Sequence, residues 1–138
     1  MLDAIVCDPP YGVRAGARQS GHEDTYASEH TMNMRTMHYA PNDVMADLLR
    51  FAALALRMQG RLVYLLPSTQ GFDEELHLPR HPCLKVVACS AQHSHGPFRR
   101  RLVTMVKCRQ FEQDMEAAVP MMPGFAKKKQ CKKNAKCH

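Results

Sequence analysis

Four residues near the start of the chain, Asp8, Pro9, Pro10 and Tyr11, are of types that could act together on a nucleobase. The Asp8 carboxylate and a backbone carbonyl that the prolines leave outside a strand ladder would be two acceptors facing one small volume. Acceptors that hold both N–H bonds of an exocyclic amino group favour a pyramidal nitrogen whose lone pair can attack, and Tyr11 could stack on the base. These types and their order indicate methyl transfer to an amino nitrogen, whereas a simple rigid turn is the alternative.

The elements before and after this motif predict where it sits. The apolar run from Leu2 to Cys7 predicts a buried strand that the prolines end. A helical spacing of apolar residues follows, with Asn42 as the expected cap, Asp43 in the first turn and Gly60 after the last turn. Arg61 to Leu66 predicts a second buried strand. Strand, helix and strand at this spacing predict neighbouring parallel strands joined by a right-handed crossover.

The rest of the chain adds a short helix and a hairpin. Phe72 to Leu78 predicts the short helix, and the apolar runs from Cys83 to Ser90 and from Arg101 to Cys108 predict two antiparallel strands. Residues 12–41 show little apolar periodicity and are expected to form a long connection that is functional or disordered. The predicted fold class is α/β, in the order strand, helix, strand, short helix, antiparallel hairpin.

Three further residues could contact a substrate beside the motif. Arg14 and Arg18 lie just beyond it in sequence and could hold an RNA backbone through charge-assisted hydrogen bonds. Pro67 ends the predicted strand that neighbours the motif strand, so it could line the base pocket from the side. We therefore predict that Tyr11, Arg14, Arg18 and Pro67 bind substrate.

Length and charge limit the classes of protein that fit. A chain of 138 residues with 45% hydrophobic content suits one small domain, and a net charge of +6 suits an acidic partner such as nucleic acid. Much of that charge lies in a lysine-rich tail. We predict a domain over residues 1–111 and a linker with a basic, disordered tail over 112–138. No apolar run approaches the roughly 20 residues that span a bilayer, so no membrane partner is expected.

The six cysteines do not form a regular disulfide framework, because several lie inside apolar runs. Reduced and mostly buried thiols are typical of the cytoplasm, which is the predicted location, although the lysine-rich tail would also suit the nucleus. The spacing of Cys131, Cys137 and His138 does not fit a usual tetrahedral zinc site, and no metal is predicted.

Four sequence blocks in one order point to a family: DPPYGVR, DLLRFAALALRMQGRLVYLLP, HPCL and RRLVTMVK. Together they resemble the carboxyl-terminal half of the catalytic subunit of the tRNA guanosine-10 N2-methyltransferases, over about Leu2 to Phe111. The resemblance implies a Rossmann-like methyltransferase sheet, S-adenosyl-L-methionine as methyl donor and a tRNA guanine as acceptor. It also assigns the catalytic role to Asp8, Pro9, Pro10 and Tyr11, which match the family motif letter for letter.

The resemblance also implies what this chain would lack. Family members carry an RNA-binding THUMP region and a glycine-rich loop for S-adenosyl-L-methionine, and no G-x-G occurs in this sequence. The donor site would then be incomplete, with Asp8 only bordering it, and the chain alone would be inactive. The family's small zinc-binding activator subunit is a further expected partner. With the first half of the sheet missing, the edge of the Ala4 to Cys7 strand would be exposed and the chain could self-associate.

Two other functions fit the same residues. The motif also serves amino-methyltransferases that act on DNA adenine or on protein glutamine. From another class, the chain could be a non-catalytic fragment that binds RNA or a protein partner through its basic tail and its exposed sheet edge.

Overall fold

The computed structural model of the protein describes residues 1–10, 17–20, 36–92 and 99–121. Within these ranges the order of elements is β1, β2, β3, α1, β4, α2, β5 and β6. Their bounds are β1 Leu2–Cys7, β2 Ala17–Ser20, β3 Thr36–Tyr39, α1 Pro41–Ala55, β4 Leu56–Ser68, α2 Glu74–His77, β5 Leu84–Gln92 and β6 Arg99–Lys107. The predicted basic tail lies mostly outside the described residues, and the domain boundary at residue 111 stays a prediction.

The main sheet has four strands in the order β1-β4-β6-β5. Strand β1 runs parallel to β4, with α1 between them in the chain, whereas β6 is antiparallel to both β4 and β5. The predicted parallel pair and the predicted antiparallel hairpin are both confirmed. This mixed α/β sheet is the architecture expected of half of a Rossmann-like methyltransferase, with β1 at one edge of the described sheet.

The core lies between α1 and one face of this sheet. The helix buries one side along its length, and that side packs against alternate residues of β4 and β6, because successive strand residues point to opposite faces. The fully buried members of this cluster are Met45, Leu49, Ala52, Leu56, Leu62, Tyr64, Val103 and Met105. Burial of this apolar surface is what fixes β4 and β6 against the helix. No helix of the described residues is long and apolar enough to cross a bilayer.

The predicted ends of α1 are wrong. Ala40 is the N-cap residue, without a side-chain hydrogen bond, and Pro41 occupies the first helical position, where its missing N–H costs nothing. The helix stops at Ala55, and Leu56 is already extended at φ −71° and ψ 141°. Gly60 therefore lies inside β4 and is not the residue that ends the helix. Apolar residues that continue across this junction hid the change from helix to strand.

Strand β4 is also longer than the predicted strand and passes through Pro67. That residue pairs with Arg100 of β6, whereas the parallel ladder to β1 has already ended at Tyr64. A proline is tolerated here because the side of the strand that lacks a ladder needs no N–H donor. The prediction that Pro67 ends the strand is wrong by one residue, since Ser68 is the last strand residue.

A second, two-stranded sheet was not predicted. Strands β2 and β3 pair antiparallel within the segment that showed no apolar periodicity, from Ala17 opposite Tyr39 to Ser20 opposite Thr36. The Tyr39 hydroxyl hydrogen-bonds to the Asp47 carboxylate and so ties β3 to α1. Expecting only an irregular connection here was wrong for these eight paired positions, because backbone pairing of such short strands leaves no pattern in the side chains.

Candidate active site

The motif begins where β1 ends. The ladder between β1 and β4 stops at Cys7 opposite Tyr64, so the backbone of Asp8, Pro9 and Pro10 continues past the parallel pair at its carboxyl edge. Asp8 and Pro10 are exposed and Pro9 is buried. In α/β sheets this edge forms the crevice in which ligands bind. The predicted pair of acceptors at this position, the Asp8 carboxylate and a proline carbonyl, stays a prediction.

Arg100 faces the Asp8 carboxylate from β6. Its Nη1 lies 4.0 Å from Asp8 Oδ2, and both side chains are more than half exposed. Strand β6 is antiparallel to β4, so its first residues reach the same edge at which β1 and β4 end. Sequence reasoning missed Arg100, although the run of three arginines before an apolar strand was the available signal.

The other predicted substrate-binding residues are only partly placed. Pro67 is half-buried and opposite Arg100, which puts it at the same edge as Asp8. Arg18 lies on β2, opposite His38, in the separate two-stranded sheet. Tyr11 and Arg14 lie outside the described residues. The structure thus brings Pro67 to the edge beside the motif, and substrate contact by any of these residues stays a prediction.

Arg101 fixes the segment that follows β4. Its guanidinium carbon lies 4.2 Å from the centre of the Phe72 ring, and its Nη1 lies 3.7 Å from Glu74 Oε1 and 3.9 Å from Cys89 Sγ. Only 16% of its side chain is exposed, so its charge is balanced mainly by the ring and by Glu74. This side chain joins β6 to the start of α2 and to β5.

The thiols and the phenol next to the motif are kept neutral. Burial raises the pKa of Tyr64, and the nearby Cys89 and Cys7 raise it further; Tyr64 is fully buried and its hydroxyl has no hydrogen-bond partner among the described residues. Burial also raises the pKa of Cys7, and the charge of Asp8 adds to this effect. A protonated thiol is a poor nucleophile. The chemistry available at this edge is therefore that of the Asp8 carboxylate and of the backbone carbonyls after it.

No group of three or more metal-binding side chains occurs in the part of the chain that the structure describes. Cys131, Cys137 and His138 lie outside that part.

Comparison with known proteins finds relatives but no matching family model. A protein named tRNA (guanine(10)-N(2))-methyltransferase TRMT11 from Dictyostelium discoideum is 42% identical over 123 residues, which are 83% of this chain and 24% of that protein. The proteins of the same name from Gallus gallus and Homo sapiens are 40% and 38% identical, over 85% and 80% of this chain. No protein-family model and no solved structure matches the chain significantly.

The chain is homologous to part of the tRNA (guanine(10)-N(2))-methyltransferases. The family resemblance predicted from its four sequence blocks is thereby confirmed, and the matched part is the carboxyl-terminal region of the relatives. The chain spans about a quarter of the length of the curated relatives that it matches.

Proposed function

We propose that this chain carries the amino-group-binding part of a tRNA guanine N2-methyltransferase. The observation that carries the proposal is the position of Asp8 and Pro9 directly beyond the last paired residue of a strand parallel to β4. This is the edge at which α/β sheets bind ligands. The names of the relatives supply the acceptor class, because each is named for methylation of a tRNA guanine at N2.

In this proposal the Asp8 carboxylate and the Pro9 carbonyl each accept one N–H of the guanine amino group. Both acceptors stabilise the positive charge that develops on the nitrogen as it bonds to a methyl carbon and the bond from that carbon to its leaving group breaks; the product nitrogen then loses one proton to the Asp8 carboxylate or to solvent. Asp8 is exposed and can meet a substrate, whereas Pro9 is buried and fixes the direction of the backbone. Tyr11 has the predicted role of stacking on the base and holding it in the attacking geometry.

The donor is part of the proposal. A methyltransferase requires a methyl donor, and we propose S-adenosyl-L-methionine, which supplies an electrophilic methyl group. The exposed Asp8 carboxylate fits the border of such a site because it can face the acceptor amino group and the donor together. The residues that the structure describes contain no glycine-rich loop of the kind that the resemblance implies for the donor, so we assign no further donor contact to this chain.

Fragment complementation tests this function. The chain is mixed with the portion of a TRMT11 relative that precedes the matched region, and N2-methylguanosine is measured by mass spectrometry in an unmodified tRNA transcript. We expect methylation that Asp8→Ala abolishes and Asp3→Ala preserves. Asp3 is a matched control because it is an exposed aspartate at the other end of the same strand. A transcript with adenine at position 10, a DNA duplex and a glutamine-containing protein test the rival acceptors.

Two results would contradict the proposal. One is methylation that persists undiminished in Asp8→Ala. The other is the absence of N2-methylguanosine from the complemented mixture when the intact relative is active in the same assay.

A partner-binding role is a second proposal, favoured by the edge strand β1. Its one partner strand among the described residues is β4, and Val6 is 76% exposed. An unpaired apolar edge can add a strand from another chain. We propose self-association through this edge and, as the family resemblance implies, binding of the small activator subunit. A cytoplasmic location also remains a proposal.

A further inference from the structure

Two aspartate–arginine pairs lie at opposite ends of β1. At the amino end Arg57 Nε lies 2.5 Å from Asp3 Oδ1, and at the carboxyl end Arg100 Nη1 lies 4.0 Å from Asp8 Oδ2. The two arginine side chains are equally exposed, at 62%. Only the second pair lies at the edge of the parallel strands where a ligand is expected. The pairs therefore differ in place and in closeness of contact while sharing the same chemistry.

Arg100 and Arg101 have different surroundings because successive strand residues point to opposite faces. Arg101 is largely buried and already has the Phe72 ring, Glu74 and the Cys89 sulfur as partners. Arg100 is exposed and has Asp8 as its one charged partner among the described residues. Of the two arginines, it is therefore Arg101 that stabilises the packing around this part of β6. Arg100 is left with most of its hydrogen-bond donors facing solvent.

The contact between Arg100 and Asp8 is easily exchanged. A separation of 4.0 Å is longer than a hydrogen bond, and an ion pair between two mostly exposed side chains adds little to stability. A guanidinium offers parallel N–H donors that fit two oxygens of a phosphate. An amino group that binds Asp8 needs the same carboxylate oxygens that Arg100 faces. When the substrate amino group binds Asp8, Arg100 therefore loses its carboxylate partner and can pair with another anion.

We propose that Arg100 binds a backbone phosphate of the RNA beside the target nucleotide and that it leaves Asp8 when the RNA binds. The inference rests on the proposed function, since it takes RNA as the ligand of this edge. In the free chain Arg100 pairs loosely with the Asp8 carboxylate. In the complex a phosphate replaces that carboxylate as the partner of Arg100, and Asp8 is free to accept from the amino group. Arg100 thus contributes to the affinity for RNA. Replacing it leaves both proposed acceptors of the amino group, the Asp8 carboxylate and the Pro9 carbonyl, in the chain.

Binding of an unmodified tRNA transcript to the full chain tests the proposal. Dissociation constants are measured by fluorescence anisotropy at several salt concentrations for the wild type, Arg100→Ala, Arg100→Lys and the matched control Arg57→Ala. We expect Arg100→Ala to bind roughly five- to tenfold more weakly and to lower the slope of log affinity against log salt by about 0.7 to 1, as for one lost phosphate contact. Arg57→Ala should bind within about twofold of the wild type.

The lysine variant separates charge from geometry. Arg100→Lys should keep the salt slope and lose part of the affinity, because an ammonium group replaces the charge without the paired donors. Circular dichroism melts check that each variant folds, which the exposure of both arginines leads us to expect.

The outcomes distinguish the two proposals. If the wild type does not bind the transcript, the proposed function fails in this chain and the inference fails with it. If the wild type binds and Arg100→Ala matches Arg57→Ala in affinity and salt slope, the inference alone is overturned. A variant that binds normally but lowers turnover in the complemented methylation assay would also overturn it, because Arg100 would then position Asp8 instead of binding phosphate.

Discussion

Replacing Gly60 by alanine should destabilise the fold through backbone contacts. A Cβ atom at this position would lie 2.8 Å from the Arg57 carbonyl oxygen, 3.1 Å from the Asp3 carbonyl oxygen and 3.2 Å from Leu56 Cδ2. An ordinary contact begins near 3.4 Å, so the first carbonyl must move by about 0.6 Å and the second by about 0.3 Å. The Asp3 carbonyl belongs to β1, which means that the substitution presses β1 and β4 apart.

The magnitude follows from the cost of overpacking. A methyl group forced into a filled site typically costs about 1 to 3 kcal/mol, and here two of the neighbours are backbone atoms that relax less easily than a side chain. For a domain of this size that loss should lower the midpoint of thermal unfolding by about 4 to 12 °C. Circular dichroism melts and urea titrations of Gly60→Ala give the two measurements.

Gly71 supplies the matched control. A Cβ atom at Gly71 would meet nothing within 4 Å, and neither glycine has a φ in the left-handed region that disfavours a side chain. Gly71→Ala should therefore be neutral, or stabilising by up to about 1 kcal/mol because alanine restricts the unfolded chain. The reasoning is refuted if Gly60→Ala unfolds at the wild-type temperature, or if both alanine variants lose the same stability.

Three further predictions concern pH, thiols and the sheet edge. Burial lowers the pKa of His81, whose Nδ1 accepts from the Cys83 N–H, so the fold favours the neutral ring. Stability should be full above the unfolded-state pKa of about 6.5 and fall as the pH drops from there through the lower folded-state pKa; urea midpoints should show this loss reduced in His81→Asn. Alkylation followed by peptide mass spectrometry should label the exposed Cys108 well before the buried Cys83, whose pKa burial raises; equal rates would contradict this order. Val6→Lys should weaken self-association in sedimentation velocity by placing a charge on the exposed edge strand, and an unchanged oligomer would exclude that edge as the contact.

The sequence was sufficient to predict the strands that are apolar and continuous. The β1 run, the parallel pairing that follows from a helix between two strands, and the antiparallel hairpin were all predicted from apolar runs and their spacing. The expected burial of β1 was wrong: it pairs with β4 alone among the described strands, and Val6 is 76% exposed. The sequence was insufficient at junctions. Helix α1 passes directly into β4 at Leu56. Gly60 was predicted to end the helix, since glycine is common just after helices, but here it allows β1 and β4 to pack closely. Strand β2 carries no apolar alternation, and the two residues Met37 and Tyr39 of β3 are too few to indicate a strand.

The candidate site was predictable as far as its motif. Asp8 and Pro9 were assigned from their order after an apolar run, and the structure places them at the carboxyl edge of the parallel pair. Arg100 and Arg101 were not assigned, because their proximity to that edge depends on β6 running antiparallel to β4 over a register that pairs Arg100 with Pro67. Register is a property of long-range pairing, and one residue of slip would exchange the surroundings of the two arginines.

The direction of the strands, more than residue type, makes one of the two ion pairs of this fold a candidate for function. Asp3 with Arg57 and Asp8 with Arg100 are the same pair of side chains at comparable exposure, and composition alone would rank them equally. Because β1 and β4 are parallel, their carboxyl ends meet at one edge, and the start of the antiparallel β6 adds a cation there. That edge joins the proposed acceptor for an amino group to the proposed donor for a phosphate, whereas the opposite edge has a close pair whose charges already neutralise each other. The same sheet direction that makes Asp8 the candidate acceptor thus makes Arg100 the candidate anchor for the RNA.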